Sequence, residues 1–215
     1  MSGVGGPPKT ITVTATMIGT DYGPITLGIM PKIITAGSLQ NYLDNLSSGN
    51  IPDEQVTLPA IDFTISQVSQ IQSILHDTNK YVDLSETTLP AGSVGSCFQW
   101  CKSVVVAPSI PEGVTSLNAC FDHGECTSQL RGPSTIVIPE SVTDMFKCFF
   151  KCTALRNVNI VVKARINDSS KWTKAFMHIE TSQNVTVWVP NTNVKTAIEN
   201  AEGNTGVTIR VGSGP

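Results

Sequence analysis

The sequence predicts an α/β protein built as a short solenoid with a parallel β-sheet on one face, because one pattern of residues recurs along the chain. Residues 110–117 and 138–145 match position by position at a spacing of 28, and Cys120-Phe121 matches Cys148-Phe149 at the same spacing. An earlier copy, Cys97 to Cys101, begins 23 residues before Cys120. Self-similarity at a period of roughly 20 to 50 residues is typical of solenoids, whose units bury their apolar faces only against their neighbours.

The copy at residues 138–160 is the most complete, and its apolar positions are Val142, Met145, Cys148, Phe149, Cys152, Leu155, Val158 and Ile160. It resembles the bacterial BspA-type leucine-rich repeat, whose units read roughly I-P-x-x-V-T-x-I-x-x-x-A-F-x-x-C-x-x-L-x-x-I-x-I. Cys148 stands where alanine is usual. The resemblance covers about residues 81 to 190. It implies a leucine-rich-repeat solenoid, a tendency toward surface binding and export, since family members are commonly secreted or surface-attached. It implies no catalytic residue.

Four turns are predicted between residues 81 and 190, with strands near residues 104–110, 135–138, 157–161 and 185–189 that form one parallel sheet. The last turn is degenerate, with Ala175-Phe176 in place of Cys-Phe. The second turn holds six extra residues, which we expect to loop out between His123 and Pro133.

The two ends of the chain are predicted to cap this repeat region. Residues 1–9 are rich in glycine and proline and indicate a flexible tether. Residues 10–80 predict a strand with period-two alternation from Thr10 to Ile18 and two helices, one starting at Ser38 and one at residues 65–77. We expect this region to cover the first turn, and a separate domain is the alternative. Residues 191–215, with a helix at 192–202 and a strand-like segment at 206–211, form the C-terminal cap.

Composition narrows the class of function. The 215 residues are 40% hydrophobic and 14% charged, and the net charge of -3 includes no basic cluster, which argues against nucleic-acid binding. No apolar run reaches the roughly 18 to 20 residues that span a bilayer. The start lacks a signal peptide, so export, as the resemblance implies, would need a leader or lipid anchor trimmed from this chain. A cytosolic protein is the alternative.

Three pairs of cysteines are the main chemical candidates: Cys97 with Cys101, Cys120 with Cys126, and Cys148 with Cys152. A zinc site is disfavoured because the pairs lack the usual C-x-x-C spacing. Disulfide bonds would fit an exported protein. We expect the cysteines instead to be buried as small apolar groups beside the phenylalanines. His123 lies near Cys120 and Cys126 in the sequence, so an enzyme with a Cys-His pair is a remote alternative. We expect His123, however, to be exposed in the loop. We therefore predict no enzyme, no metal and no cofactor.

The candidate binding residues are those that point out of the predicted sheet, because solenoids bind through that face. They are Thr135, Val137, Asn157, Asn159, Val161, Thr186 and Trp188. Val161 and Trp188 would share an apolar ridge, unless the C-terminal helix covers Trp188. Phe146 and Phe150 form a second apolar patch, unless the loop at 123–133 covers them. The predicted function is protein recognition, with a self-associating surface protein as the alternative.

Overall fold

The protein is a mixed α/β structure with parallel sheets and few helices in the part of the chain that the computed structural model describes. That part comprises residues 11–13, 16–17, 20–21, 25–27, 39, 55–57, 64–77 and 81–215. The predicted tether at 1–9 and the helix predicted from Ser38 lie outside it, apart from Leu39, which is helical and buried. No described helix has the length and apolar character to cross a membrane.

The strands are β1 (Ile11–Val13), β2 (Thr16–Met17), β3 (Thr20–Asp21), β4 (Ile25–Leu27), β5 (Gln55–Thr57), β6 (Tyr81–Asp83), β7 (Gly92–Ser93), β8 (Val104–Val106), β9 (Val114–Ser116), β10 (Thr135–Ile138), β11 (Asn159–Val162), β12 (Thr186–Val189) and β13 (Thr208–Val211). The α-helices are α1 (Val68–Asp77) and α2 (Thr192–Asn200). Short 3₁₀ segments occupy Ile65–Gln67, Ser169–Trp172 and Thr181–Gln183.

Strands β10, β11, β12 and β13 form one parallel sheet in sequence order. The prediction of parallel strands near residues 135–138, 157–161 and 185–189 is confirmed, including the alignment of Val161 with Trp188. The last segment, assigned to the C-terminal cap, is in fact the fourth strand, because Thr208 to Val211 pair in parallel with β12. The exposed sheet therefore extends one strand further than expected.

Our prediction of a single continuous sheet is wrong, because the sheet is interrupted between β8 and β10. Strands β5, β6 and β8 form a separate parallel sheet, and within the described residues a bridge between Val106 and Gly132 is its one link toward the next sheet. Pro108 and Pro133 follow these two bridge positions, and neither has the backbone N–H that would extend the ladder. The segment that holds the six extra residues of the second turn thus ends at a proline that cannot continue the hydrogen bonding between the two sheets.

A second, shorter parallel pairing joins β7 to β9, where the sequence indicated no strand. A bridge from Ser116 to Asp144 continues it. Strand β9 and Asp144 lie in the two segments that repeat at a spacing of 28, so the repeat also stacks on this side. The hydroxyl of Thr143 donates to the carbonyl of Thr115, 28 residues earlier, at 3.0 Å.

The core contains the predicted column of phenylalanines. Phe98, Phe121, Phe149 and Phe176 are fully buried, and successive ring centroids lie 5.6, 5.4 and 6.0 Å apart with nearly parallel planes. The backbone repeats with the rings, since the amide of Phe121 donates to the carbonyl of Cys148 and that of Phe149 to the carbonyl of Ala175. Each copy therefore contacts the next through both stacked rings and amide bonds.

The chain turns sharply just before each Cys-Phe pair. Ser96, Ala119 and Lys147 precede the three Cys-Phe pairs, and Lys174 precedes the corresponding Ala175-Phe176. All four adopt the left-handed conformation, with φ between 52° and 58°. The following amide then closes a turn, as where the Cys148 amide donates to the carbonyl of Met145 at 3.0 Å. Side chains other than glycine at such positions are uncommon, so the stacking of neighbouring copies must offset their cost.

The two ends of the described repeat region contact helices. Helix α1 buries Ile71 and Leu75 in the same core, and the Gln72 side chain donates to the carbonyl of Gln99 at 3.1 Å. At the other end, Asn204 accepts from the amide of Phe176 and donates to the carbonyl of Trp172, at 2.9 and 2.8 Å. These bonds satisfy backbone groups that no further copy pairs.

Candidate functional site

The candidate site is the outer face of the β10–β13 sheet, on which strand pairing places side chains in two rows. The first row is Thr135, Asn159, Thr186 and Thr208, and the second row is Val137, Val161, Trp188 and Arg210. Five of the seven predicted residues are members of these rows: Val137 is exposed, and Thr135, Asn159, Thr186 and Trp188 are half-buried. Thr208 and Arg210 complete the rows, although the sequence placed them in a cap.

Trp188 lies at the centre of the face and is held from both sides. Its indole Nε1 donates to Oδ1 of Asn159 at 3.0 Å. The guanidinium of Arg210 lies 5.6 Å from the ring centroid, within range of a cation–π interaction. Trp188 is half-buried. Residues from three adjacent strands thus hold one aromatic side chain in place on the face.

The C-terminal helix does not account for this burial, and the segment after β13 does. A β-carbon placed on Gly214 would lie 3.4 Å from Cγ of Trp188 and 2.7 Å from Cγ2 of Val161. A β-carbon placed on Gly212 would likewise lie 3.6 Å from the indole ring. The backbone of the chain end therefore passes directly over the ridge that Val161 and Trp188 share.

Val161 and Asn157 are placed differently from the sequence prediction. Val161 lies on the expected face but is only 9% exposed, because the segment around Gly214 covers it. Asn157 precedes β11 and has a left-handed backbone with φ of 54°. Its Oδ1 accepts from Nδ2 of Asn184 at 2.9 Å, and Asn184 has the same φ. This asparagine pair shapes a turn at the edge of the face.

The exposed apolar surface of the face is small and specific. Val211 aligns with the buried Val189 and so points to the other side of the sheet. On the face itself, Val137 is 38% exposed and Trp188 is half-buried. Polar hydroxyl and amide groups surround them in the first row. Such a mixture of an anchored aromatic ring, isolated apolar side chains and neutral polar groups is typical of protein-binding surfaces.

The six cysteines carry free thiols, and all but Cys126 are buried. Cys97, Cys120 and Cys148 directly precede the stacked phenylalanines, as the prediction of buried small groups required. Burial raises the pKa of Cys97 to about 12 and that of Cys120 and Cys148 well above the ordinary value of 9.0. These thiols stay protonated at neutral pH and are poor nucleophiles.

His123 is buried, which contradicts the expectation that it is exposed in the loop. It is 1% exposed, because the segment from His123 to Pro133 folds back and buries Ser128 and Leu130 as well. Its Nδ1 donates to the carbonyl of Phe121 at 2.8 Å, and its Nε2 has no hydrogen-bond partner. Burial, which disfavours the charged ring, lowers the pKa of His123 from 6.5.

The thiol of Cys152 contacts His123, a pairing that the sequence analysis did not suggest. The Cys152 sulfur lies 3.6 Å from Nδ1, but this nitrogen already carries the proton that it donates to Phe121. Nδ1 therefore cannot accept the thiol proton, and burial raises the pKa of Cys152 well above 9.0. In the described residues, no three His, Cys, Asp or Glu side chains cluster as a metal site would require.

Phe146 and Phe150 lie on a different side of the molecule and are both half-buried. The ammonium of Lys147 lies 5.5 Å from each ring centroid, and the ring of His178 meets that of Phe150 edge-on at 5.4 Å. The loop contacts this patch through Gly124, whose added β-carbon would lie 3.3 Å from Phe150. The loop thus covers the patch in part.

Comparisons with known proteins return no match: no family model fits this chain, and neither a curated protein nor a solved structure is similar to it.

Proposed function

We propose that this chain is a non-catalytic binding module, a short leucine-rich-repeat solenoid of the BspA type that recognises a protein partner through the face of β10–β13. Its repeat spacing and its stacked phenylalanines support the solenoid assignment. The terminal regions would act as caps. The family resemblance supports a place in the bacterial cell envelope or outside the cell.

The observation that carries the proposal is the arrangement of Trp188. An indole clamped by Asn159 and Arg210 loses little conformational freedom when a partner covers it. Tryptophan is also among the residues that most often dominate binding energy at protein interfaces. The thiols of Cys120, Cys148 and Cys152 offer no competing explanation, since burial raises their pKa well above 9.0 and keeps them protonated.

Photo-crosslinking from the face tests this proposal. A photoreactive amino acid replaces Thr186, in the first row, and a matched control replaces Glu140, an exposed residue outside the two rows. We expect a discrete crosslinked protein from position 186 and none from position 140. Trp188→Ala should reduce the yield from position 186 at least about tenfold, as the loss of a hot-spot residue worth more than 1.4 kcal/mol would.

Equal crosslinking from both positions would contradict recognition through this face. A product with twice the mass of the chain, together with light scattering that rises with concentration, would instead support the alternative of a self-associating surface protein. In that case Trp188→Ala should lower the scattering, because the same ridge would join the copies.

A further inference from the structure

The break between β8 and β10 opens a cleft on the side of the molecule where the two sheets should have joined. Its volume is about 220 Å³, and its lining includes Ser85, Pro108, Ser109, Pro133, Thr135 and Val137. At the narrow end, the amide of Ala107 donates to the carbonyl of Gly132 and that of Arg131 to the carbonyl of Val105, both at 2.8 Å. Beyond these bonds the two chains diverge.

One wall of the cleft is a strand edge that pairs with no other strand in the described part of the chain. The amides of Asn159 and Lys163 donate to the carbonyls of Ser134 and Ile138, so the even-numbered residues of β10 face β11. Because backbone groups alternate along a strand, the N–H and C=O of Thr135 and Val137 point the other way, into the cleft. Among the residues that the structure describes, neither amide has a hydrogen-bond partner, and no backbone bond joins residues 107–110 to residues 135–138.

The protein cannot close this edge with its own neighbouring chain. Pro108 lies opposite it and has no N–H to donate, and Pro133 likewise interrupts the ladder on the side of β10. An exposed strand edge that is neither charged nor covered is a template for pairing with another chain. None of the nine residues that line the cleft is ionisable, so a charged side chain placed there would lose water without gaining an opposite charge.

We propose that this cleft binds an extended, uncharged peptide segment of a partner protein, which adds a strand to β10 by pairing with Thr135 and Val137. The inference rests on the proposed protein-binding function, since it states the form in which the partner is recognised. Strand addition derives its affinity from main-chain bonds and its selectivity from the alternate side chains. The edge has four residues, about 13 Å at 3.3 Å per residue, and matches a short segment.

A peptide fits the site better than a second folded copy of this chain. Stable interfaces between folded proteins use about 20 to 30 residues on each side, whereas nine residues line the cleft. The cleft also narrows toward the bridge between Val106 and Gly132, so only a single chain can lie along the edge.

Amide hydrogen exchange, followed residue by residue by NMR on the full chain, tests the proposal. The probe is a capped hexapeptide of alternating threonine and valine, and its control is the same peptide with alternate amides N-methylated. Without peptide, the amides of Thr135 and Val137 should exchange faster than those of Ile136 and Ile138. At four times its Kd, the probe should slow exchange at Thr135 and Val137 about fivefold. The N-methylated peptide should have no effect.

Two variants distinguish strand pairing from non-specific binding of the peptide. Val137→Pro removes the cleft-facing donor without touching a bond to β11, and Ser109→Trp fills the cleft from an exposed position. Each should abolish the response to the probe while Ile136 and Ile138 remain protected. Should Val137→Pro fail to fold, Ser109→Trp and the N-methylated peptide still decide the matter.

Unchanged exchange at Thr135 and Val137 with 10 mM probe would overturn the proposal, and so would equal slowing by the N-methylated peptide. Protection that grows with protein concentration in the absence of peptide would assign the edge to a second copy and also overturn it. The crosslinking from Thr186 has a separate readout, so a failed exchange experiment beside successful crosslinking removes the cleft alone.

Discussion

Replacement of Phe149 by alanine should test the packing of the repeat most directly. Phe149 is fully buried, and its ring lies between those of Phe121 and Phe176, with centroids 5.4 and 6.0 Å away. Removal of a buried phenylalanine side chain costs about 3 to 5 kcal/mol. Each stacked pair contributes about 0.5 to 1.5 kcal/mol beyond the buried area, so a ring with two such neighbours belongs near the upper limit.

We therefore expect Phe149→Ala to lower the free energy of unfolding by about 4 to 5 kcal/mol. Because domains are typically stable by only about 5 to 15 kcal/mol, this is a large share of the total. Urea denaturation followed by circular dichroism measures the loss. Phe150→Ala is the matched control, since the neighbouring ring is half-buried and its contacts are with His178 and two lysines. Phe150→Ala should lower the free energy of unfolding by at least about 2 kcal/mol less than Phe149→Ala does, because a half-buried ring loses less on removal.

A loss below about 1 kcal/mol for Phe149→Ala would show that the phenylalanine column is not the core of the fold. Equal losses for Phe149→Ala and Phe150→Ala would contradict the assigned register, because adjacent residues could not then differ in burial.

Three further predictions address other parts of the structure. The pKa of His123 is lowered from 6.5 in the folded chain. As the pH falls below 6.5, the unfolded chain therefore protonates this histidine more readily than the folded chain does. The free energy of unfolding should thus drop on acidification from pH 6.5, by at most about 1.4 kcal/mol per pH unit from this residue, and His123→Gln should lack that component in urea melts. Gly206→Ala should destabilise the chain by more than about 3 kcal/mol, since its added carbon would overlap the carbonyl of Ile179, and β13 should then lose its amide protection. Trp188→Phe keeps an aromatic ring but removes the hydrogen bond to Asn159, so calorimetry should show a free energy of unfolding lower by about 0.5 to 1.5 kcal/mol.

The parts of the structure that the sequence predicted best are those that every copy of the repeat specifies. The phenylalanine column, the buried cysteines before it and the strand positions of β10, β11 and β12 follow from residues that recur at corresponding positions. Repetition makes such positions reliable, because each copy must present the same side chain to its neighbour if the core is to be continuous.

The parts that the sequence predicted poorly lie where the repeat is interrupted. The loop at 123–133 has no counterpart in other copies, so its polar composition indicated exposure, yet it buries His123, Ser128 and Leu130. The break in the sheet likewise arises at Pro108 and Pro133, and neither proline belongs to the recurring pattern. At such sites burial depends on where the chain returns, which local composition does not encode.

The candidate face shows the same division at the level of single residues. The alternation of side chains along a strand is a local property, and it was enough to determine from the sequence that Val137, Val161 and Trp188 point out of the sheet in aligned positions. Only the tertiary structure decided which of them is accessible. Gly214, 53 residues after Val161 in the chain, covers Val161 and leaves Val137 exposed. A side chain's direction depends on its own strand, but its exposure depends on every other segment that packs nearby.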